Sequence, residues 1–257
     1  MIKDELNRLL RSYVKENLSP NKSDIAFVSK IYQSFCELLG NQNCLQIGSY
    51  PRYTSVRPIH DLDVLYIMGN WHQTNILPFK DLTTLAEKFG REYKNPTGHN
   101  IKIQVQTHSI TFQFVSNDSE IFAVDLVPAL RDTINEFGKY TFYVPEVIKL
   151  RRGDKRKMFY KQHLAQPQEI EWIKTDPLGY IQIASEINEQ NSDFRKAVKF
   201  VKGWKYYCKS IDDEFSLKSF HIEQIITEMC KEIMTFDAFD LIFYFFLPLQ
   251  KRFNPRQ

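Results

Sequence analysis

Features that would mark a secreted, membrane-spanning or zinc-stabilised protein are missing from this chain. Four cysteines occur in 257 residues, Cys36, Cys44, Cys208 and Cys230, with no C-x-x-C pair and no Cys/His cluster among them. That scatter argues against a disulfide framework and against a zinc site, and a reducing cytoplasm is the compartment it suggests. No apolar run approaches the roughly 20 residues of a membrane span. The most apolar segment, 238–249, contains Asp240 and reads as a buried helix, so no membrane partner is expected. The first residues, MIKDELNRLLRSYVKEN, carry too much charge for a signal peptide. Charge of one sign is scarce as well: 34 Lys and Arg against 31 Asp and Glu leave +3. A polyanion would have to be met by a local cluster rather than by the whole surface.

What is present is ordinary globular material, 43% hydrophobic and 14% aromatic, enough for a core in one or two domains. Apolar residues at helical spacing predict helices over 3–16 and 22–39, the second closed by Gly40. Further on, 80–93 reads as a helix ended by Asn95-Pro96-Thr97-Gly98. Three strand-like runs follow at 101–105, 110–115 and 121–127. The first two alternate as half-exposed strands do, with Ser116-Asn117-Asp118-Ser119 as a hairpin turn before the third. From Pro177 the pattern is helical throughout, near 177–190, 193–209, 216–234 and 237–247. The expected division is therefore 1–170, a mixed lobe with N-terminal helices, and 171–257, a helical lobe, with a cleft between them.

One stretch organises the rest: Gly48 to Met68, GSYPRYTSVRPIHDLDVLYIM. The apolar run Cys44–Ile47 stops at Gly48-Ser49, where a φ-permissive residue and a hydroxyl open a loop. Asp61 and Asp63 then stand two residues apart, which on a strand puts both carboxylates on one face and Leu62 and Val64 on the other. Adjacent carboxylates repel, and a hard divalent cation shared with substrate phosphates relieves the repulsion. The third strand-like run is nearly all apolar but is interrupted by Asp125. A buried carboxylate needs a partner, a neighbouring Arg or backbone amides on one reading and a metal ion on the other.

Gly48-Ser49, Asp61-Leu62-Asp63 and Asp125, in that order and with Arg52-x-Thr54 and Arg57-Pro58 between, resemble the pattern of the DNA polymerase β-like nucleotidyltransferases. Within that superfamily the chain is most similar to the bacterial CD-NTases, relatives of cyclic GMP-AMP synthase that make nucleotide second messengers in anti-phage (CBASS) defence. The similarity extends to 124–129 (VDLVPA), 172–177 (WIKTDP), 197–204 (AVKFVKGW) and 217–221 (LKSFH). It departs from animal cyclic GMP-AMP synthase in having no Cys/His insertion. The chain is also short for the family, as a compact member or a truncated one would be.

The resemblance implies an α+β fold, a polymerase β-like core of mixed sheet and flanking helices plus a helical C-terminal lobe, with the active site in the cleft between them. It implies two Mg²⁺ ions, replaceable by Mn²⁺, held by Asp61, Asp63 and Asp125, with Asp125 also serving as base for the attacking hydroxyl. Gly48 and Ser49 would meet the triphosphate, a plain turn being the alternative. Lys202 would contact the triphosphate, and Lys199 and Lys205 would form a solvated face. Ser219 would bond a phosphate, and Phe220 would stack on a base or join the core. Arg52, Thr54 and Arg57 would guide a nucleotide or brace their loop. The implied activity is Mg²⁺-dependent, template-independent joining of nucleoside triphosphates into a cyclic or linear oligonucleotide, read by a downstream effector. An RNA-tailing or CCA-adding nucleotidyltransferase is the alternative, and a non-catalytic nucleotide-binding scaffold the third reading. The basic run Lys149–Lys157 offers a site for RNA or another polyanion, or is a solvated loop.

Overall fold

Leu62, Val64 and Leu65 are buried while Asp61 and Asp63 are not, so the acid-bearing stretch folds as the strand its pattern calls for. The structure is a computed structural model and describes residues 2–73, 82–147 and 170–253. The run Lys149–Lys157 lies outside the described residues. Seven α-helices and seven strands occur among the described residues. The helices are α1 (Ile2–Tyr13), α2 (Lys22–Leu39), α3 (Leu82–Glu92), α4 (Pro177–Gln190), α5 (Phe194–Ile211), α6 (Ser219–Glu232) and α7 (Ala238–Phe253). The strands are β1 (Cys44–Ile47), β2 (Asp61–Asn70), β3 (Asn100–Val105), β4 (Ile110–Ser116), β5 (Ser119–Ile134), β6 (Tyr140–Val147) and β7 (Ile170–Thr175). None of these helices is long and apolar enough to cross a membrane.

All seven strands form one mixed sheet ordered β1-β2-β5-β4-β3, with β6 pairing β5 and β7. Only β2 and β5 run parallel; every other pair is antiparallel. The β4–β5 hairpin closes through Asn117 and Asp118, both at positive φ, the conformation that two-residue hairpin turns require. Strand β3 alternates half-buried and exposed residues as expected, but β4 does not: Ile110, Phe112, Phe114 and Val115 are all buried. The physical reason is its place between β3 and β5, with Phe112 packed edge-on against Phe35 of α2 at 5.0 Å.

The chain divides into two compact units, and the cut is not a single one near residue 170. A sheet unit comprises 26–48 and 60–179; a helical unit comprises 1–25, 49–59 and 180–257. The first residues join the helical unit because α1 is tied to α5 and α7 through side chains. Arg11 grips Asp193 with bonds of 2.9 and 2.5 Å, the Asp193 carboxylate accepts from the Ala238 amide, and Asn7 accepts from the Phe239 amide. Lys3 bonds Asp240 at 2.7 Å, so Asp240 sits in the apolar helix with a cation against it. Apolar packing in the helical unit centres on Phe194, Val198 and Val201 of α5, Ile222 and Ile226 of α6, and Leu241 and Phe245 of α7. In the sheet unit Leu65, Ile67, Ala129, Phe142 and Val144 form one cluster, while in another Phe35 stacks on Tyr93 and Phe112 meets both edge-on.

Candidate active site

Three neighbouring strands of the sheet unit, β2, β5 and β4, with the residue just before β4, carry five oxygen-bearing side chains. Parallel pairing sets Asp63 of β2 directly opposite Asp125 of β5, and Asp61 lies two residues earlier, hence on the same face. On the other flank of β5, Thr111 of β4 is the register partner of Asp125. The Thr111 hydroxyl donates to Asp125 Oδ1, and Ser109 donates to the same oxygen at 3.3 Å. Asp125 is only half-buried, and its partners are hydroxyls, neither the Arg nor the backbone amides that its apolar surroundings suggested.

Gly48 belongs to this constellation. Its φ is +78°, and a Cβ at that position would fall 1.8 Å from Asp63 Oδ2. A side chain is excluded twice, by backbone conformation and by the carboxylate lying against the glycine. The requirement comes from Asp63, a contact that the Gly-Ser dipeptide alone does not reveal.

Oxygen donors only, three carboxylates with two hydroxyls beside them, suit a hard cation such as Mg²⁺ or Mn²⁺ and not zinc. Their chemistry fits the metal that the sequence resemblance implies. Even so, no three His, Cys, Asp or Glu side chains among the described residues are gathered closely enough to hold an ion. Repulsion between carboxylates opposes such gathering while no cation lies between them. The strands thus supply the alignment, and the convergence of three acids is not formed by the chain alone.

In the helical unit the outcome differs from expectation at Lys202. Its side chain is 3% exposed and bonds Glu223 Oε1 at 2.5 Å, with a second bond to the Thr54 carbonyl at 3.1 Å. Arg52 meets the same carboxylate at 2.7 and 3.2 Å. Burial opposes ionisation of Glu223, but Lys202 and Arg52 outweigh it and hold the carboxyl below the usual range. Lys202 is therefore committed to a buried ion pair, and the triphosphate contact expected of it is not supported. The segment 49–59 is braced by this network: the Thr54 amide and hydroxyl both donate to the Ser49 carbonyl, and Arg195 donates to the Arg52 carbonyl. Arg52 and Thr54 brace the loop, and Ser49 is held through its backbone.

Lys205, read from sequence as a solvated cation, instead donates to Ser219 Oγ at 2.8 Å, at the first residue of α6. Phe220, next in the chain, stays 44% exposed and meets Tyr180 edge-on at 5.4 Å, so it does not join the core. Together Tyr180 and Phe220 stand at a cavity of about 90 Å³ with Gln224 and Thr227. Lys199 is no solvated residue either. Its ammonium donates to Ser19 Oγ at 3.1 Å, and burial pushes it down to about 8, with Arg195, Lys202 and Lys196 adding repulsion. One signal could have singled out Lys205: three residues after Lys202 on the same helix, it faces the Lys218-Ser219 helix start that the sequence had already flagged.

Comparison with solved structures gives the mixed sheet and the helical unit the fold of nucleotidyltransferases, and CD-NTases are among the chains that share it. No protein-family model matches the sequence, and no curated protein matches it. The chain resembles CdnE cyclic dinucleotide synthase of Elizabethkingia meningoseptica, solved with GTP and Apcpp, at 14% identity and a TM-score of 0.61. That match covers 97% of this chain and 85% of the other. It resembles CdnC of E. coli MS115-1 in its complex with HORMA-deltaN at 16% identity and TM-score 0.59, covering 90% of this chain and 66% of that one, just under two thirds of its length. The Cid1 poly(U) polymerase with MgGTP bound is matched at 11% identity and TM-score 0.50, over 86% of this chain and 55% of the other. At these identities the shared property is the fold.

Proposed function

We propose that the protein is a Mg²⁺-dependent, template-independent nucleotidyltransferase that joins nucleoside triphosphates into a cyclic or linear oligonucleotide signal in anti-phage defence. The observation that carries this reading is the pairing of Asp63 with Asp125 on parallel strands, with Asp61 on the same face and Gly48 kept bare against Asp63. The CdnE neighbour, a cyclic dinucleotide synthase solved with GTP and a nucleotide analogue, supports the choice of substrate class.

In the reaction a sugar hydroxyl oxygen attacks the α-phosphorus of a triphosphate. The bond to the α,β-bridging oxygen breaks, and pyrophosphate leaves with the electron pair. Bound Mg²⁺ supplies neutralisation of the triphosphate and acidification of the hydroxyl. Asp61, Asp63 and Asp125 would hold it, and Asp125 is the carboxylate assigned the hydroxyl proton. Gly48 admits the Asp63 carboxylate to its place. Lys205 and Ser219 offer an ammonium and a hydroxyl to phosphate oxygens, the role first assigned to Lys202 and Ser219. Phe220 offers an exposed ring for stacking on a base, a contact worth about 1–3 kcal/mol.

Incubation with labelled triphosphates and Mg²⁺, with and without added RNA, tests the reading. A phosphatase-resistant product formed without RNA is expected. Label incorporated only into added RNA would replace the reading with a tailing activity of the Cid1 kind.

A further inference from the structure

We propose that Ser109 and Thr111 are positioning residues that fix Asp125 as a one-oxygen metal ligand. The inference rests on the assignment of Asp125 to the metal-binding acids. Both hydroxyls go to Oδ1, and neither goes to Oδ2. Ser109 and Thr111 are 6% and 2% exposed, so solvent does not compete for them. They stand two residues apart, Ser109 just before β4 and Thr111 within it, with Ile110, fully buried, facing away between them, and Thr111 is held opposite Asp125 by the strand register.

Two hydroxyls on one carboxylate oxygen do three things. They occupy its lone pairs and draw off its charge, which leaves Oδ2 as the stronger donor to a cation. They fix the carboxylate rotamer before any ion arrives, which lowers the ordering cost of binding. Finally, with Oδ1 occupied they leave one oxygen rather than two for a cation, favouring one-oxygen over two-oxygen ligation. The third effect bears on the choice of ion, since Mg²⁺ demands compact octahedral geometry whereas Ca²⁺ accepts two-oxygen carboxylate ligation. The device is a preference for small octahedral cations, built into β4 outside the acids themselves.

The test uses the full chain. Thr111→Val and Ser109→Ala, singly and together, remove the hydroxyls while nearly keeping shape; Thr111→Ser keeps one. Mn²⁺ binding is read by electron paramagnetic resonance with a non-hydrolysable triphosphate analogue present, so the readout does not depend on turnover. The melting temperature of each variant controls for folding. The double variant is expected to bind Mn²⁺ about 10- to 100-fold more weakly, the usual effect of removing outer-shell partners of a metal ligand. It should also compete less well against Ca²⁺, and Thr111→Ser should restore most of the Mn²⁺ binding. A double variant that binds Mn²⁺ within twofold of wild type, while Asp63→Asn loses the ion, overturns the positioning role alone. A wild-type chain that binds no Mn²⁺ overturns it together with the metal centre.

Discussion

In the sheet unit three acids share one strand face, whereas in the helical unit two carboxylates are buried among cations. Asp61, Asp63 and Asp125 share a face with only hydroxyls donating to Asp125. Glu223 is buried between Lys202 and Arg52, and Asp193 between Arg11 and Lys196. The two arrangements serve different ends. Like charges on one face favour a cation that bridges them. Opposite charges joined by charge-assisted hydrogen bonds need no ligand; they hold segments together. Residue type alone does not reveal the partner, since on α5 Lys202 bonds a buried carboxylate and Lys205, three residues on, bonds the Ser219 hydroxyl.

The comparison breaks most plainly if the acids prove structural. Asp63→Asn and Asp61→Asn should each lower product formation on the order of a thousandfold, because several kcal/mol of charge stabilisation are lost. Their melting temperatures should stay level or rise, since one of two repelling groups is removed. Glu223→Ala should behave in the opposite way. Leaving Lys202 and Arg52 buried without their carboxylate should cost about 3–5 kcal/mol of stability, seen as a large fall in denaturation midpoint.

Gly48→Ala joins the two effects at smaller size. The left-handed backbone costs about 1–2 kcal/mol for a residue with a Cβ, and the Asp63 carboxylate must move away from the new methyl. Product formation should therefore fall further than the loss of stability explains, measured by activity at a temperature well below melting.

Titration sharpens the other side. Burial opposes ionisation of Asp193, but Arg11 and Lys196 hold its carboxyl below the usual range. Its contribution to stability is complete above the unfolded value of about 3.9 and is lost as pH falls through the folded value. Asp193→Asn should remove that part of the acid sensitivity in a melting series from pH 2 to 7. Lys199 carries the smallest effect and the reverse sign. Its folded value of about 8 lies below the unfolded one, so between about 8 and 10.4 the unfolded chain holds more protons and stability rises with pH. Lys199→Met should flatten that rise and slightly raise the melting temperature at pH 7.

Period and turn chemistry made much of this legible in advance. The 44–47 and 61–70 strands, the hairpin at Asn117-Asp118, and α2, α4, α5, α6 and α7 follow from local pattern, as does the alignment of Asp61 with Asp63. Strands β6 and β7 do not. Pro145 interrupts β6, a residue that argues against an internal strand, and β7 pairs with it across residues that are far apart in sequence. The discontinuous helical unit was equally hidden, because what decides it is contact across the sequence: Arg11 to Asp193 spans 182 positions and Arg52 to Glu223 spans 171. The burial of Lys202 against Glu223 is hidden for the same reason. A lysine on a helix with other cations looks solvated or ligand-facing until the distant carboxylate that buries it is known.

Mass spectrometry of the products formed from all four nucleoside triphosphates with Mg²⁺ and no RNA tests the central claim most directly. Wild-type protein is predicted to yield an oligonucleotide whose mass equals its joined nucleotides, with pyrophosphate released, and Asp63→Asn is predicted to yield none. Unchanged triphosphates with wild type, or the same product from Asp63→Asn, would contradict the account.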